Sequence, residues 1–286
     1  MDAGNRADML GREDEAALRA LAERVGWQFT RDQTALFLSG IGRVRGVWRD
    51  GALIASGGLY RYDGRLASLG NVMVDPRFWR QGLATRLVTE CLAEAKAAGA
   101  PVVLVATPMG EPLYRKLGFQ TIGSVHRLEI DPAGTPAAAS PMPNDVRPLQ
   151  PCDLEEIVRL DERAFGACRR AVYETLFALR TPGWGCRDAD GALLGFTFAI
   201  RKPSALCLGP VVARDVSIAL ALVRRASSGW TVPVRVDVPH EQTAFRCGLL
   251  AGGFRERMIS PLMSFGTDSL PGARSRWFAL LDPALG

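Results

Sequence analysis

The sequence is short of several things, and each shortage removes a class of protein. It has no stretch of about eighteen uninterrupted apolar residues, so no membrane-spanning helix is expected. Its first residues, Met1-Asp2-Ala3-Gly4-Asn5-Arg6, lack the basic segment and apolar run of a secretory signal. The six cysteines (Cys91, Cys152, Cys168, Cys186, Cys207, Cys247) are scattered, with no Cys-x-x-Cys spacing. That pattern is neither a disulfide framework nor a zinc site, so no metal is expected and a reducing cytoplasm is the compartment it fits. Of the two histidines, His240 has no partner at metal-ligand spacing and reads as loop. His126 alternates with Arg127 and Glu129 on a terminal strand and reads either as lining a pocket or, more simply, as an exposed position. The net charge of +5 is spread along the chain, with no basic run interleaved with aromatics. Nucleic-acid binding therefore has no support.

What is present is enough apolar material for one large core or two ordinary ones: 286 residues, 48% of them hydrophobic. The clearest composition shift runs from Asp131 to Asn144, where proline, alanine and glycine replace periodic hydrophobicity. It divides the chain into residues 1–131, a linker at 132–144, and residues 145–286.

The two halves echo each other. Asp14, Leu18, Leu21, Glu23 and Arg24 match Asp153, Ile157, Leu160, Glu162 and Arg163 at identical offsets. Asp50-Gly51-Ala52-Leu53 matches Asp190-Gly191-Ala192-Leu193, Leu69-Gly70 matches Leu208-Gly209, and Gly118-Phe119 matches Gly253-Phe254. Matches in the same order at nearly the same intervals argue for duplication.

In the first half, apolar spacing predicts helices near Glu13–Arg24 and Asp32–Ser39, and strands at Arg43–Trp48, Leu53–Tyr60 and Leu66–Val74. A helix follows over Gly82–Ala98, then a buried strand at Val102–Ala106, a short helix at Glu111–Leu117 and a strand at Phe119–Ile130. The fold class is α/β, in the α+β sense, with a mixed sheet.

One segment carries chemistry. Strand Leu69-Gly70-Asn71-Val72-Met73-Val74 ends in Asp75-Pro76, and a basic loop then runs into a helix that begins Gly82-Leu83-Ala84-Thr85. Small residues let a backbone approach a ligand closely. The free amides of a helix start, with its positive dipole end, suit an anion such as phosphate. An ordinary glycine-containing loop reads the same way when the segment is taken alone.

Downstream lies Glu111-Pro112-Leu113-Tyr114-Arg115-Lys116-Leu117-Gly118-Phe119. Together, in this order and spacing, the two segments resemble the GNAT superfamily of N-acyltransferases over about residues 5–130. That family pairs a strand ending in Val-x-Pro and a loop closing on Gly-x-Gly or Gly-x-Ala with Leu-Tyr-x-x-Leu-Gly-Phe. Trp79 departs from the pattern, standing where the family usually has Arg or Gln.

The resemblance implies acetyl-CoA as cosubstrate, its pyrophosphate on the amides of Arg80, Gln81, Gly82, Leu83, Ala84 and Thr85. Met73 and Val74 would pair with the pantetheine arm and polarise the thioester carbonyl, and Tyr114 would be the general acid. The place of a family glutamate base falls near Ser68, which can serve only by relaying a water. Trp27 falls where the family builds its acceptor pocket, either as a stacking wall or as plain core packing.

From about Val146 to Phe265 the second half resembles a second GNAT unit that is degenerate. Its loop, Val212-Ala213-Arg214-Asp215-Val216-Ser217-Ile218, lacks glycine, and Leu249 stands at the tyrosine place. The whole then implies two tandem GNAT-like domains, each a mixed, mostly antiparallel sheet flanked by helices. The implied activity is acetyl-CoA-dependent N-acetylation of a small-molecule amine in the cytoplasm, with a homodimer left open. The alternative is a non-catalytic acyl-CoA sensor.

Overall fold

In the computed structural model, which describes residues 6–132 and 145–286, the apolar periodicities become elements close to their expected bounds. The first half runs β1 (Arg6–Met9), α1 (Glu15–Arg24), α2 (Arg31–Phe37), β2 (Gly42–Arg49), β3 (Ala52–Tyr62), β4 (Leu66–Val74), α3 (Leu83–Ala97), β5 (Val102–Val105), α4 (Glu111–Lys116) and β6 (Gln120–Ile130). The second repeats the order: β7 (Asp145–Pro148), α5 (Leu154–Phe165), α6 (Arg170–Ala178), β8 (Gly183–Arg187), β9 (Leu193–Arg201), β10 (Leu206–Leu208), β11 (Val211–Ala213), α7 (Val216–Ser227), β12 (Val234–Pro239), α8 (Thr243–Ala251) and β13 (Arg255–Phe265). A further strand, β14 (Trp277–Ala279), has no counterpart in the first half. The expected linker lies, but for Pro132, outside the described residues.

The duplication reaches down to single hydrogen bonds. Each half enters its first helix through an aspartate at the N-cap position whose carboxylate reaches back three residues. Asp14 accepts from the Gly11 amide at 2.9 Å, and Asp153 accepts from the Gln150 amide at 2.7 Å. In both, the carboxylate fixes the turn that precedes the helix.

The strands join into one sheet, mostly antiparallel, with parallel pairings at β4–β5 and β10–β12. Its central order is β4-β5-β13-β6-β12-β10. The halves therefore exchange their last long strands. β13 of the second half lies between β5 and β6 of the first, while β6 of the first pairs with β12 of the second. Each half's sheet is completed by the other's backbone, because a strand on the edge of either would leave its amides and carbonyls unpaired.

This exchange corrects the expectation for His126. As a residue of β6 it lies between β13 and β12 rather than on an edge, and it is 8% exposed. Its Nδ1 is 2.6 Å from Glu256 Oε2, and Arg246 Nη1 is 2.8 Å from its Nε2.

One large core spans the junction. Leu18 and Leu21 of α1, Phe37 of α2, Tyr60 and Tyr62 of β3, Phe165 of α5, Tyr173 of α6 and Trp277 of β14 belong to a single buried cluster. Within it the Arg169 guanidinium grips the Asp161 carboxylate through two hydrogen bonds of 2.8 and 2.6 Å, both side chains wholly shielded. The same arginine donates to the Gly286 O atom at 2.9 Å, and Tyr62 Oη donates to the Leu285 carbonyl at 2.7 Å. The Tyr62 bond holds Leu285 against the first half. At Gly70 of β4 an added Cβ would sit 2.5 Å from the Ala284 Cα, so glycine is what lets that segment pack.

Candidate active site

β4 and β5 run side by side for only two residue pairs, Ala67 with Val102 and Ser68 with Val103. Beyond Ser68 they part. The cause is a bulge: Asn71 adopts φ +53°, and the β3–β4 register slips between Ser56 and Gly58. A non-glycine residue in the left-handed region has to be held there. Asn71 donates through Nδ2 to Tyr60 Oη at 2.6 Å, and its carbonyl accepts from Ser56 Oγ at 2.8 Å. The far edge of β5 is occupied by β13. Val72–Val74 thus face a V-shaped gap with their β5-side edge off the ladder.

The loop after β4 is built on Asp75, which is 1% exposed. Its carboxylate accepts from the Arg77 amide, from Arg77 Nε at 3.1 Å and from Arg77 Nη2 at 2.8 Å, and forms an ion pair with Arg24 Nε at 2.7 Å. The Arg77 bonds hold its carboxyl at about 2, well below the ordinary range. Trp79, the departure from the family pattern, is 47% exposed and donates its indole N–H to the Val74 carbonyl at 2.7 Å. It straps the loop onto the end of the strand that borders the gap.

The loop then enters α3 through two left-handed residues, Arg80 at φ +61° and Gly82 at φ +76°. Gly82 is the N-cap, no side chain caps the helix, and a Cβ there would meet nothing within 4 Å. The amides of Leu83, Ala84 and Thr85 come before the first intrahelical bond, from Arg86 N to Gly82 O. They lie at the positive end of a 15-residue helix. This arrangement fits a pyrophosphate: donors on backbone, no side chain in the way, and Arg80 beside them.

Tyr114 lies on α4, 9% exposed, its ring edge-on to Phe119 at 5.7 Å. Gly110 makes room for it, since a Cβ there would come within 3.0 Å of the ring. Burial pushes the phenol up to about 12, so it keeps its proton across the neutral range.

Beside Ser68, Val103 and Val105 lies a small, partly enclosed cavity with room for about one water molecule. Ser68 is buried in its wall. Among the described residues no carboxylate or imidazole lines it, and its opposite wall belongs to the second half: Phe165, Arg274, Trp277 and Leu280. The structure therefore places Ser68 in the cavity wall, Met73 and Val74 at the end of β4, and Arg80 to Thr85 at the entry to α3; of these and Tyr114, Ser68 alone lines the cavity. Trp27 sits elsewhere, in an aromatic row with Phe29, Phe37 and Tyr60, and does not line the cavity. Sequence reasoning missed Arg274 and Trp277, which reach the site only through tertiary packing. It noted Trp79 without finding its bond to Val74.

The second half lacks both features. The strand equivalent to β4 is broken into β10 and β11, and β14 pairs with β11 while the Leu280 amide donates to Asp237 of β12 at 2.9 Å. The protein's own backbone fills the second gap. At the start of α7 the Asp215 carboxylate caps the helix, accepting from the Ile218 amide at 3.1 Å and from Ser217 Oγ at 2.6 Å. Leu249 is core.

Comparison with known proteins agrees with this picture. Residues 11–119 match the model of the acetyltransferase (GNAT) family, and residues 157–279 match an acetyltransferase (GNAT) domain model. The chain is 29% identical to the uncharacterised N-acetyltransferase YitH of Bacillus subtilis (strain 168), over all of both chains. Its fold is shared with a putative acetyltransferase from Pyrococcus horikoshii at 16% identity, with a TM-score of 0.83 over 100% of this chain and 97% of that one. It is shared also with a tandem GNAT protein from the clavulanic acid biosynthesis pathway at 16% identity, with a TM-score of 0.67 over 91% and 98%. With a GNAT domain in each half, the chain belongs to the GNAT family and is an enzyme of the acetyltransferase type.

Proposed function

We propose that the first half transfers the acetyl group of acetyl-CoA directly to a primary amine of a small molecule, while the second half serves as the scaffold that completes its sheet. The observation that carries this reading is the uncapped start of α3 at the mouth of an open strand gap. GNAT acetyltransferases use acetyl-CoA. The amides from Arg80 to Thr85 would hold its pyrophosphate, and the end of β4 at Met73 and Val74, where the Val74 carbonyl already accepts from Trp79, would pair with the pantetheine arm and polarise the thioester carbonyl. Pre-placed N–H donors stabilise the oxyanion as the amine attacks, because they need no reorganisation when the charge appears.

The amine nitrogen bonds to the carbonyl carbon, and the carbon–sulfur bond then breaks. Tyr114 gives its proton to the departing thiolate, a base with pKa of about 8.5, far below the phenol's raised value. No carboxylate at the apex can take the amine's proton. The apolar walls, Leu66, Val103, Val105 and Leu262, do part of that work by disfavouring the ammonium form. A water held by Ser68 relays the remaining proton outward.

The test is release of CoA from acetyl-CoA across a panel of small amines by wild type and Tyr114→Phe. The expected result is turnover by wild type and a drop in kcat of about 100-fold in the variant, with acetyl-CoA affinity retained. Tight binding of acetyl-CoA with no turnover of any amine would favour the sensor reading instead.

A further inference from the structure

Tyr60 of β3 is fully buried and takes no part in the chemistry above, yet its hydroxyl meets the strained residue of β4, Asn71. Between the pairs Ser56–Met73 and Gly58–Gly70, β3 advances two residues while β4 takes three. The surplus falls at Asn71, whose φ of +53° turns the strand where it leaves β5.

Both groups that hold Asn71 come from β3, the neighbour of β4 on the side away from the gap. The Asn71 carbonyl accepts from Ser56 Oγ at 2.8 Å, and its side-chain amide donates to Tyr60 Oη at 2.6 Å. The two bonds differ in kind. The Ser56 bond acts on the backbone and is open to any residue at this position, whereas the Tyr60 bond needs the asparagine side chain. Tyr60 is itself fixed. Its ring closes an aromatic row, with Phe37 at 6.2 Å and then Phe29 and Trp27 at spacings of 5.3 and 6.2 Å. Burial drives its pKa well above the ordinary value, so the hydroxyl is neutral throughout the neutral range.

Building on the acetyltransferase reading, we propose that Tyr60 is a positioning residue for acetyl-CoA: without meeting the cosubstrate, it keeps Asn71 in the left-handed conformation that parts β4 from β5. A short polar side chain stays in that region when it finds a bond there, and gains by leaving it when the bond is lost. Deprived of Oη, Asn71 returns toward extended backbone, and a regular β4 is drawn back beside β5 into the space the pantetheine arm needs.

The experiment measures acetyl-CoA binding by calorimetry, and unfolding in urea, for wild type, Y60F, N71G, Y60F/N71G and Y62F. Glycine takes positive φ without help and keeps the carbonyl that Ser56 holds. Y60F should weaken acetyl-CoA binding by about 10-fold or more, because a smaller share of the protein has the gap open. N71G should bind within about 3-fold of wild type, and adding Y60F to it should change the affinity no further. Unfolding should show the same coupling, with Y60F lowering the urea midpoint of the wild-type chain more than that of N71G. Y62F removes another buried hydroxyl of β3, the donor to Leu285, and should lower the midpoint without touching affinity.

Undiminished binding by Y60F would overturn the proposal. So would a loss that N71G does not rescue, or an equal loss in Y62F, which would mark the effect as general destabilisation. A loss in N71G as large as that in Y60F would overturn it too, since the gap would then need the Asn71 side chain and not its backbone angle. If wild type binds no acetyl-CoA while the unfolding data still couple Tyr60 to Asn71, the acetyltransferase reading fails and the clamp on β4 stands. Should Y60F not fold, folding of Y60F/N71G supports the clamp, and its failure to fold overturns it.

Discussion

The starts of α3 and α7 occupy equivalent places in the two halves, yet one is open and the other is plugged. At α3 the cap is Gly82, with no side chain on the helix end and nothing in front of it. At α7 the cap is Asp215, whose carboxylate already neutralises the positive end and accepts from the Ile218 amide. The bonds of Arg214, Ser217 and the Ile218 amide lower its carboxyl below the usual range, so it stays charged where a phosphate would have to sit. The strand gaps differ in the same sense. The first stays open beyond Ser68, and the second is bridged by β14 and Leu280. Stability and ligand binding draw on the same unpaired backbone groups. A half that satisfies them internally becomes a good scaffold and a poor binder.

The comparison breaks most readily at Gly82. Gly82→Asp would give α3 the plug that α7 carries, and acetyl-CoA binding measured by calorimetry should fall by about 100-fold or more, from like-charge repulsion and a lost approach. Gly82→Val should do the same, with added strain of about 1–3 kcal/mol because a β-branched residue is forced to positive φ. Undiminished binding in either variant would remove the cradle from the mechanism.

Stoichiometry sharpens the contrast next. Wild type should bind one acetyl-CoA per chain, and Asp215→Gly should still bind one, because β14 continues to fill the second gap. Two equivalents in that variant would mean that Asp215 alone had closed the site.

A smaller effect concerns stability alone. Asp215→Ala should cost about 1 kcal/mol in denaturant unfolding, the worth of a lost N-cap, and leave acetyl-CoA affinity unchanged. The smallest concerns pH. The Asp75 carboxyl is held down to about 2, so its contribution is fully present above about pH 4, the unfolded value, and is lost as pH falls toward 2. The gap in melting temperature between wild type and Asp75→Asn should therefore be widest above pH 4 and close below it. A gap that persists at pH 2 would show that the ion pairs of the loop do not set it.

Much of the first half was legible because its signals are local. β4 was expected at Leu66–Val74 and is found there, and α3 differs from Gly82–Ala98 only at its ends. Alternation and helical spacing report which face of an element is buried. The glycine at the start of α3 reports a backbone conformation that other residues adopt only under strain. The plug on α7 was foreshadowed by Asp215 and the missing glycine. The duplication was readable from matched offsets, since equal spacing in two places needs no knowledge of what touches what.

By itself, then, the sequence determined the elements and the repeat, and it marked the candidate cradle and the tyrosine. Only the tertiary structure decided which strands are neighbours. Alternation is the same whether β6 pairs with β5 or with β12, so the exchange of β6 and β13 leaves no mark on it. His126 was misplaced for that reason: a strand reads as an edge until its partners are known. The same limit hid the cavity wall opposite Ser68. Arg274 and Trp277 lie more than 200 residues from Ser68 along the chain, in a segment with no periodicity of its own. What brings them beside Ser68 is the packing of the second half against the first, which no local pattern records.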